Sequence, residues 1–272
     1  MKKSKLFHLN FTLLVLGQVS SLFGNFILKF ALYMYVLEAV GSATIFAGIL
    51  AMATFPTILL SVLGGILADR ANRKNIMVAL DTQTGISILG ATLLFSGSNG
   101  IVVIGVLLIL LSIWGAFESP TVQACVPQMQ SCDNIIKGNA IVNQVAAVAA
   151  LIAPILGSAL YVTFGLKPVM YASIICFFIT ALFECFIKLE YKRSDMHKGI
   201  LHTVKYDFYI SIRFICKEQP NILKVLLLAT LVNFFVNLMA VYPCSNFFHK
   251  RFWCNKVAVM TIVYFNELFF TS

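Results

Sequence analysis

The sequence predicts an all-α protein that crosses a membrane several times. Of its 272 residues, 60% are hydrophobic and 11% are charged, and the mean hydropathy is +0.90. A soluble domain has roughly 25% charged residues, and no soluble fold of this size could bury so much apolar surface. The chain starts with a basic tail and a long apolar run. Because that run exceeds the apolar core of a signal peptide, we expect an uncleaved first span.

Apolar runs that approach or exceed the roughly 20 residues of a spanning helix recur along the chain. They are separated by turns and by longer polar links, so each is predicted to be one membrane span. The seven predicted spans are Leu9–Val36, Thr44–Leu67, Ile76–Phe95, Ile101–Phe117, Ala140–Phe164, Val169–Ile187 and Leu223–Val241.

The distribution of Lys and Arg predicts the orientation of these spans. The N-terminal tail and the links 68–75, 118–139 and 188–222 hold fourteen of the twenty Lys and Arg residues. The positive-inside rule places this tail and these links in the cytoplasm, so we expect a multi-pass protein of the cell membrane. The link 188–222 has apolar residues at helical spacing among its bases. Two interpretations stay open for it, a basic amphipathic helix at the membrane surface and a solvated connector.

Composition and motifs argue against an enzyme, a nucleic-acid binder and a metal protein. The net charge of +9 comes from bases in the links between apolar runs, which fits anionic lipid headgroups rather than nucleic acid. The four His are scattered, and no Ser-His-Asp grouping, phosphate-binding loop or HExxH motif is present. The seven Cys form no CxxC pair, which favours free thiols. No catalytic residue, cofactor or metal is therefore predicted.

A short charged link, GGILADRANRK (residues 64–74), joins the second and third predicted spans and is named the signature loop below. Gly64 and Gly65 end the second span, where absent side chains let helices approach each other closely. From composition alone, the loop is a cytoplasmic anchor whose bases face anionic headgroups.

The arrangement resembles the loop G-x-L-A-D-R-x-x-R-K of the major facilitator superfamily, which lies between the second and third helices there too. Asn72 stands where that family usually has Gly, and Asn also tolerates a left-handed turn. In the family the loop is a conformational latch, whose Asp meets a helix end in the second half of the transporter and whose bases pair with acids of the first. The residues that match the latch are Gly65, Asp69, Arg70, Arg73 and Lys74, with Asp81 seven residues further on.

Other segments resemble the drug:proton antiporter branch of the same family, which includes macrolide-efflux-like exporters. AALIAPILGSAL (149–160) is similar to the Gly/Pro-rich motif of helix five, with Pro154 and Gly157 in register, although an ordinary proline kink is the alternative. The resemblance over residues 1–241 implies two six-helix halves with a substrate path between them. The fold expected here is the first half plus helix seven, and the expected partners are a small-molecule substrate and the lipid bilayer.

Polar residues within the spans are the candidates for the transport path. Gln18, Ser21, Asn25 and Lys29 share one face of the first span, which we expect to face a protein interior. For Lys29, snorkelling to the outer interface is favoured over a buried cavity cation. Asp81 is expected to form a cytoplasmic-side ion pair rather than carry a proton. Two further acids, Glu118 and Glu184, are expected in the latch network or at the membrane interface.

These expectations give four segments and a main function with one close rival. The segments are a six-helix half (1–187), a basic cytoplasmic linker (188–222), helix seven (223–243) and an atypical tail (244–272). The function is secondary-active export of hydrophobic or amphipathic drug-like compounds, coupled to protons. The rival is a truncated, inactive fragment, because the resemblance is expected to stop near Tyr242, as a frameshift would cause. Efflux by 272 residues alone is then not expected unless two copies form a homodimer. A seven-helix receptor is disfavoured by the cytoplasmic N-terminus.

The predicted orientation can be measured with single cysteines in a Cys-free background. We expect cysteines at Asn72 and Ser194 to be shielded from an impermeant thiol reagent in intact cells, whereas one at Ser98 should react, because the first two lie in basic links. Permeabilised cells give the control for total reactivity. Strong labelling at position 72 in intact cells would overturn the orientation.

Overall fold

The computed structural model describes residues 6–96, 99–131 and 134–189, with isolated residues between 224 and 231. The described part is a bundle of six α-helices. They are α1 (Leu9–Val40), α2 (Ala43–Arg70), α3 (Arg73–Leu94), α4 (Gly100–Met129), α5 (Ile135–Phe164) and α6 (Leu166–Cys185).

Successive helices run in opposite directions because the connections between them are short. The end of the bundle that carries the α2–α3 connection is named the loop end, and the other is named the far end. At the far end, α1 closes on Gly41, which has φ +66° and whose N–H donates to Leu37 O at 3.1 Å. The α5–α6 turn uses Gly165 at φ +78°. Glycine adopts this left-handed conformation without steric cost, which permits both tight turns.

The first six predicted spans are confirmed as helices. Five helices are long and apolar enough to cross a membrane, and α2 makes a sixth if its two parts, Gly48–Ser61 and Leu63–Arg70, count as one span despite a bend of 43°. The described part is thus the helical bundle of a multi-pass membrane protein. The predicted seventh span, most of the linker 188–222 and the tail 244–272 lie outside the described residues.

The predicted end of the fourth span is wrong, because α4 continues from Phe117 to Met129 through two prolines. Proline removes one N–H from the helix and usually ends an apolar helical pattern. The carbonyl of Ala116 loses its usual partner at Pro120, and Gly64 of α2 packs directly against that carbonyl. Thr121 Oγ1 donates to the Phe117 carbonyl at 2.6 Å within the same turn. The link to α5 consequently spans only 130–134, not 118–139.

α1 is the central helix and packs against α4, α5 and α6, while α3 packs against α4 and α6, and α2 packs mainly against α4. A hydrophobic cluster fills the loop end between these helices. Its fully or largely buried members are Phe11, Leu14, Met77, Val122, Cys125, Val126, Val142 and Ile187. The cluster joins α1, α3, α4 and α5 with the segment after α6, so it fixes the position of α3, which begins in the signature loop, against three other helices.

Small residues set the distance between α1 and α6. A Cβ added at Gly24 would lie 2.9 Å from the Cβ of Cys176, so this crossing requires a glycine. Two hydroxyls of α6 donate to backbone carbonyls of α1, Ser173 Oγ to Gly24 at 3.1 Å and Thr180 Oγ1 to Gly17 at 3.2 Å. In lipid, such packing and interhelical hydrogen bonds hold helices together, because no hydrophobic force acts between helices there.

Only one of the two glycines expected to permit a close approach does so. A Cβ at Gly64 would collide with the Ala116 carbonyl and lie 3.1 Å from Pro120 Cγ, whereas a Cβ at Gly65 would meet nothing within 4 Å in the described part of the chain.

This difference predicts opposite effects of two adjacent substitutions. Gly64→Ala should destabilise the purified protein by about 1–3 kcal/mol, because it overpacks the α2–α4 crossing. Gly65→Ala is its matched control and should be neutral or stabilising by up to about 1 kcal/mol, since Ala has the higher helix propensity. Thermal unfolding in detergent measures both. Equal effects of the two substitutions would contradict the assigned crossing.

Candidate functional site

The signature loop is almost entirely helical. α2 ends at Arg70 and α3 begins at Arg73, so only Ala71 and Asn72 form the link. Asn72 has φ −70° and ψ 105°, an ordinary extended conformation. The left-handed turn considered for this residue is therefore not used, which explains why the position accepts Asn where Gly is usual.

Arg73 joins three helices at the loop end. Its Nε donates to the Ala68 carbonyl of α2 at 2.8 Å, and its Nη1 donates to the Ala124 carbonyl of α4 at 2.7 Å. The side chain is 15% exposed. The planar guanidinium provides donors in several directions at once, which the single ammonium group of Lys does not. Arg73 thus fastens the start of α3 to both neighbouring helices.

Asp69 is placed very differently. Its side chain is 75% exposed, and its Oδ1 lies 3.6 Å from Arg73 Nη2. An exposed ion pair of this kind contributes at most about 1 kcal/mol. The carboxylate thus projects from the loop end while Arg73 is held beneath it. The latch contact with a second half stays a prediction.

The other two bases of the loop lie at helix C-termini. Arg70 occupies the last turn of α2, and Lys74 Nζ donates to the carbonyl of Cys185, the last residue of α6, at 2.7 Å. Positive side chains are favourable there because helix C-termini carry unpaired carbonyls and partial negative charge.

Asp81 lies apart from the rest of the signature set, inside the bundle. It is 2% exposed, and its carboxyl group interacts with another acid, Glu184 on α6. The expected ion pair with a base is therefore wrong. The expected interfacial position of Glu184 is also wrong, because this side chain is 1% exposed.

The structure buries most of the polar face of α1. Gln18, Ser21 and Lys29 are buried and Asn25 is partly buried. Ser21 Oγ donates to Glu118 Oε1 of α4 at 2.8 Å, and the charge of Lys29 acts on the same carboxyl group. The favoured snorkelling position of Lys29 is therefore wrong, since its side chain is directed into the protein.

Four buried polar atoms on α1, α3 and α6 have no hydrogen-bond partner in the described part of the chain. They are Gln18 Nε2, Asn25 Oδ1, Asp81 Oδ1 and Glu184 Oε2. Buried polar atoms are nearly always paired, so unpaired ones indicate a site that takes up a ligand, water or proton. The described residues contain no group of three His, Cys, Asp or Glu side chains that could hold a metal ion.

The helix-five motif is a packing surface. Pro154 and Gly157 are buried, and a Cβ at Gly157 would lie 3.2 Å from the Ile27 carbonyl of α1. Gly157 therefore lets α5 approach the backbone of α1, while the helix continues through Pro154 to Phe164.

A model of the family described as Major Facilitator Superfamily matches residues 14–268. The chain belongs to the major facilitator superfamily. The match extends past Tyr242, so the expected end of the resemblance at that residue is wrong. Members of this family are transporters, and the six described helices form a bundle of the multi-pass membrane type.

Two relatives give a more specific likeness. Macrolide efflux protein A of Streptococcus pyogenes is 22% identical over 247 residues, which cover 89% of this chain and 60% of the relative. The protein of the same name from S. pyogenes serotype M6 matches with the same identity and coverage. The chain thus spans about three fifths of the length of the curated relatives it matches.

The buried pair of Asp81 and Glu184 is the functional feature that the sequence did not indicate. A signal for it exists, because helical side chains tilt toward the N-terminus of their helix. Since α3 starts and α6 ends at the loop end, Asp81 leans toward that end and Glu184 leans away from it, which brings the two together.

The Arg73 contacts predict that the stability of the protein depends strongly on the guanidinium group. Arg73→Lys keeps the charge but should lower the stability of the purified protein by about 1.5–3 kcal/mol, because hydrogen bonds from a charged group to α2 and α4 are lost. Asp69→Asn, which removes only the exposed ion pair, should cost less than about 1 kcal/mol. Thermal unfolding that gave equal losses would show that the carbonyl contacts do not hold the loop.

Proposed function

We propose that this chain acts as a secondary-active transporter in the cell membrane. It exports hydrophobic or amphipathic drug-like compounds and is coupled to protons. The N-terminus and the signature loop lie in the cytoplasm.

The observation that carries this proposal is the buried polar face of α1. Gln18, Ser21 and Lys29 are buried among apolar helices. Polar and ionisable side chains inside a membrane protein are costly, and they mark substrate or ion pathways. An apolar bundle with a few convergent polar groups is also the usual form of a site for small organic molecules. The name of the S. pyogenes relative supports the drug-like substrate class.

Proton coupling is supported by the acids that lie beside this face. Glu118 accepts the Ser21 hydroxyl, and Asp81 and Glu184 are buried closer to the loop end. Carboxyl groups change charge when they bind or release a proton, so they can link proton movement to a change of helix packing. The exposed Asp69 supports the latch role of the signature loop, because it leaves a carboxylate available to a helix N-terminus elsewhere.

The second candidate is a partial transporter without activity of its own. It is favoured by the coverage, since the chain matches 60% of the length of its relatives. A homodimer of two six-helix bundles is the arrangement in which such a chain would still build a complete path.

Expression in an efflux-deficient host separates the two candidates. In one arm the 272-residue chain is expressed alone, and in the other it replaces the matched part of the S. pyogenes relative in a chimera. We expect the chimera to lower the accumulation of macrolides and cationic dyes, and an uncoupler to abolish this. A chimera that is present in the membrane without such extrusion would contradict the exporter. Extrusion by the chain alone would show that it is not an inactive fragment.

Asp69→Asn in the active protein tests the latch. We expect normal membrane levels and an efflux rate lowered tenfold or more, since about 1.4 kcal/mol in a rate-limiting barrier is a factor of ten. Glu38→Gln, an exposed acid of α1 at the far end, is the matched control and should keep the wild-type rate. Unchanged efflux by Asp69→Asn would reduce the loop to a membrane anchor.

A further inference from the structure

Two acidic side chains from different helices meet inside the bundle. Asp81 of α3 and Glu184 of α6 are 2% and 1% exposed, and their carboxyl groups interact with each other. Asp81 is eight residues after Arg73, which places it about 12 Å from the loop end at 1.5 Å per residue. The pair therefore lies within the membrane-spanning part of the protein.

The packing of α1 makes room for this pair. Gly17 of α1 is also eight residues into its helix, and a Cβ there would lie 3.8 Å from Glu184 Cγ and 3.5 Å from Thr180 Cγ2. The glycine allows the stem of Glu184 to lie against the α1 backbone, with its carboxyl group directed toward α3.

A direct hydrogen bond between two acids forms only when one of them carries a proton. An ionised carboxylate only accepts hydrogen bonds, so two carboxylates cannot bond each other unless one of them carries a proton. Within the described part of the chain, each acid also has one buried oxygen without a hydrogen-bond partner, Asp81 Oδ1 and Glu184 Oε2. On α1, the buried Gln18 Nε2 is a donor that likewise has no partner among the described residues.

We propose that Asp81 and Glu184 form a proton-binding pair that shares one exchangeable proton, released and rebound as the helices change their packing. This proposal rests on the proton-coupled transport proposed above and names where its proton is held. The proton bridges one oxygen of each acid. On release it leaves to water, and the two carboxylates, then both negative, repel each other and weaken the contact between α3 and α6.

A proton fits this pair better than a metal ion. No third His, Cys, Asp or Glu in the described residues completes a metal site around the two carboxyl groups. Divalent cations in proteins take six or more oxygen ligands or a closed set of nitrogen and sulfur ligands.

The charged groups around the pair come from three helices, α1, α3 and α4. Glu118 of α4 acts on both acids, Lys29 of α1 acts on Glu118, and Arg73 of α3 and Glu184 both act on the Cys125 thiol of α4. The ionisable side chains that α2 and α5 place in the described bundle lie toward their ends: Asp69, Arg70, Lys137 and Tyr161. The pair thus faces one further acid, and a single shared proton halves its own negative charge.

Glu118 connects the pair to the polar face of α1. It is eleven residues before the end of α4, about 17 Å from the loop end, and it accepts the hydroxyl of Ser21 at 2.8 Å. A change in the charge of the pair is therefore felt by the carboxyl group that holds Ser21, which belongs to the proposed substrate path.

Infrared spectroscopy of the purified 272-residue protein tests the pair without any need for transport. A buried protonated carboxyl group gives its own C=O stretching band, and exchange into D₂O shifts that band. We expect the wild type to show it and Asp81→Asn and Glu184→Gln each to lose it, because an amide donates to the remaining carboxylate and no proton is needed. Glu38→Gln, which changes an exposed acid, should keep it.

The wild-type protein alone already decides the proposal, even if a variant fails to fold. Absence of an exchangeable carboxyl band from mildly acidic to mildly alkaline pH would overturn it, and so would a band that survives in both single variants.

In the chimera, we expect Asp81→Asn to lower uphill, uncoupler-sensitive efflux tenfold or more while downhill substrate exchange continues. A purely structural role would lower both. If the chimera did not export although the purified protein showed the carboxyl band, the proposed transport function would be wrong and the proposed proton-binding pair would stand. If export were active and uncoupler-sensitive although no carboxyl band appeared, the proposed pair would be wrong and the proposed transport function would stand.

Discussion

The close contact of α1 with α5 and α6 is the constraint on which the rest of the bundle depends. Gly17 and Gly24 bring the α1 backbone against α6, and Gly157 brings α5 against the other side. Hydroxyls of Ser173 and Thr180 then reach α1 carbonyls directly. In lipid, this depends on small residues and hydrogen bonds, because no hydrophobic force drives helices together there. Since α1 is held on both sides, its polar face has a fixed position inside the protein.

That position explains why costly side chains are tolerated at this depth. Ser21 donates a hydrogen bond to the carboxyl group of Glu118, and the positive charge of Lys29 acts on the same group. The polar side chains of α1 thus partly compensate the buried acid of α4. The compensation is incomplete, because several buried atoms of α1, α3 and α6 lack partners. Incomplete satisfaction is unfavourable in a purely structural core and is typical of a site whose occupancy or protonation changes.

Hydropathy predicted the six helices because spanning a membrane imposes a minimum apolar length. The structure differs from the prediction mainly at features that this length does not determine. The fourth run loses its apolar character at Phe117, yet α4 continues to Met129, since packing of Gly64 compensates for Pro120. The snorkelling position of Lys29 was predicted from its depth along α1. This depth gives no information on Glu118 of α4, with which the charge of Lys29 interacts. Glu184 was placed at the interface because it is next to the last residue of α6, whereas its side chain extends back into the bundle. Pairings between helices depend on tertiary packing, which a single sequence does not display.

The start of α3 connects the signature loop with the acids inside the bundle. Arg73 bonds the Ala124 carbonyl of α4, and Lys74 bonds the carbonyl of Cys185, which directly follows Glu184. These two residues of the signature loop thus hold the helices that carry Glu118 and Glu184, while Asp81 follows two turns later on α3 itself. A movement that shifts the loop must therefore either break these bonds or move α4 and α6 with α3. In the first case the contact between the two acids opens, and in the second it is preserved. The position of the loop and the proposed shared proton are consequently not independent in this fold. This gives a physical route by which the proposed latch at the membrane edge and the proposed proton site in the interior respond to each other.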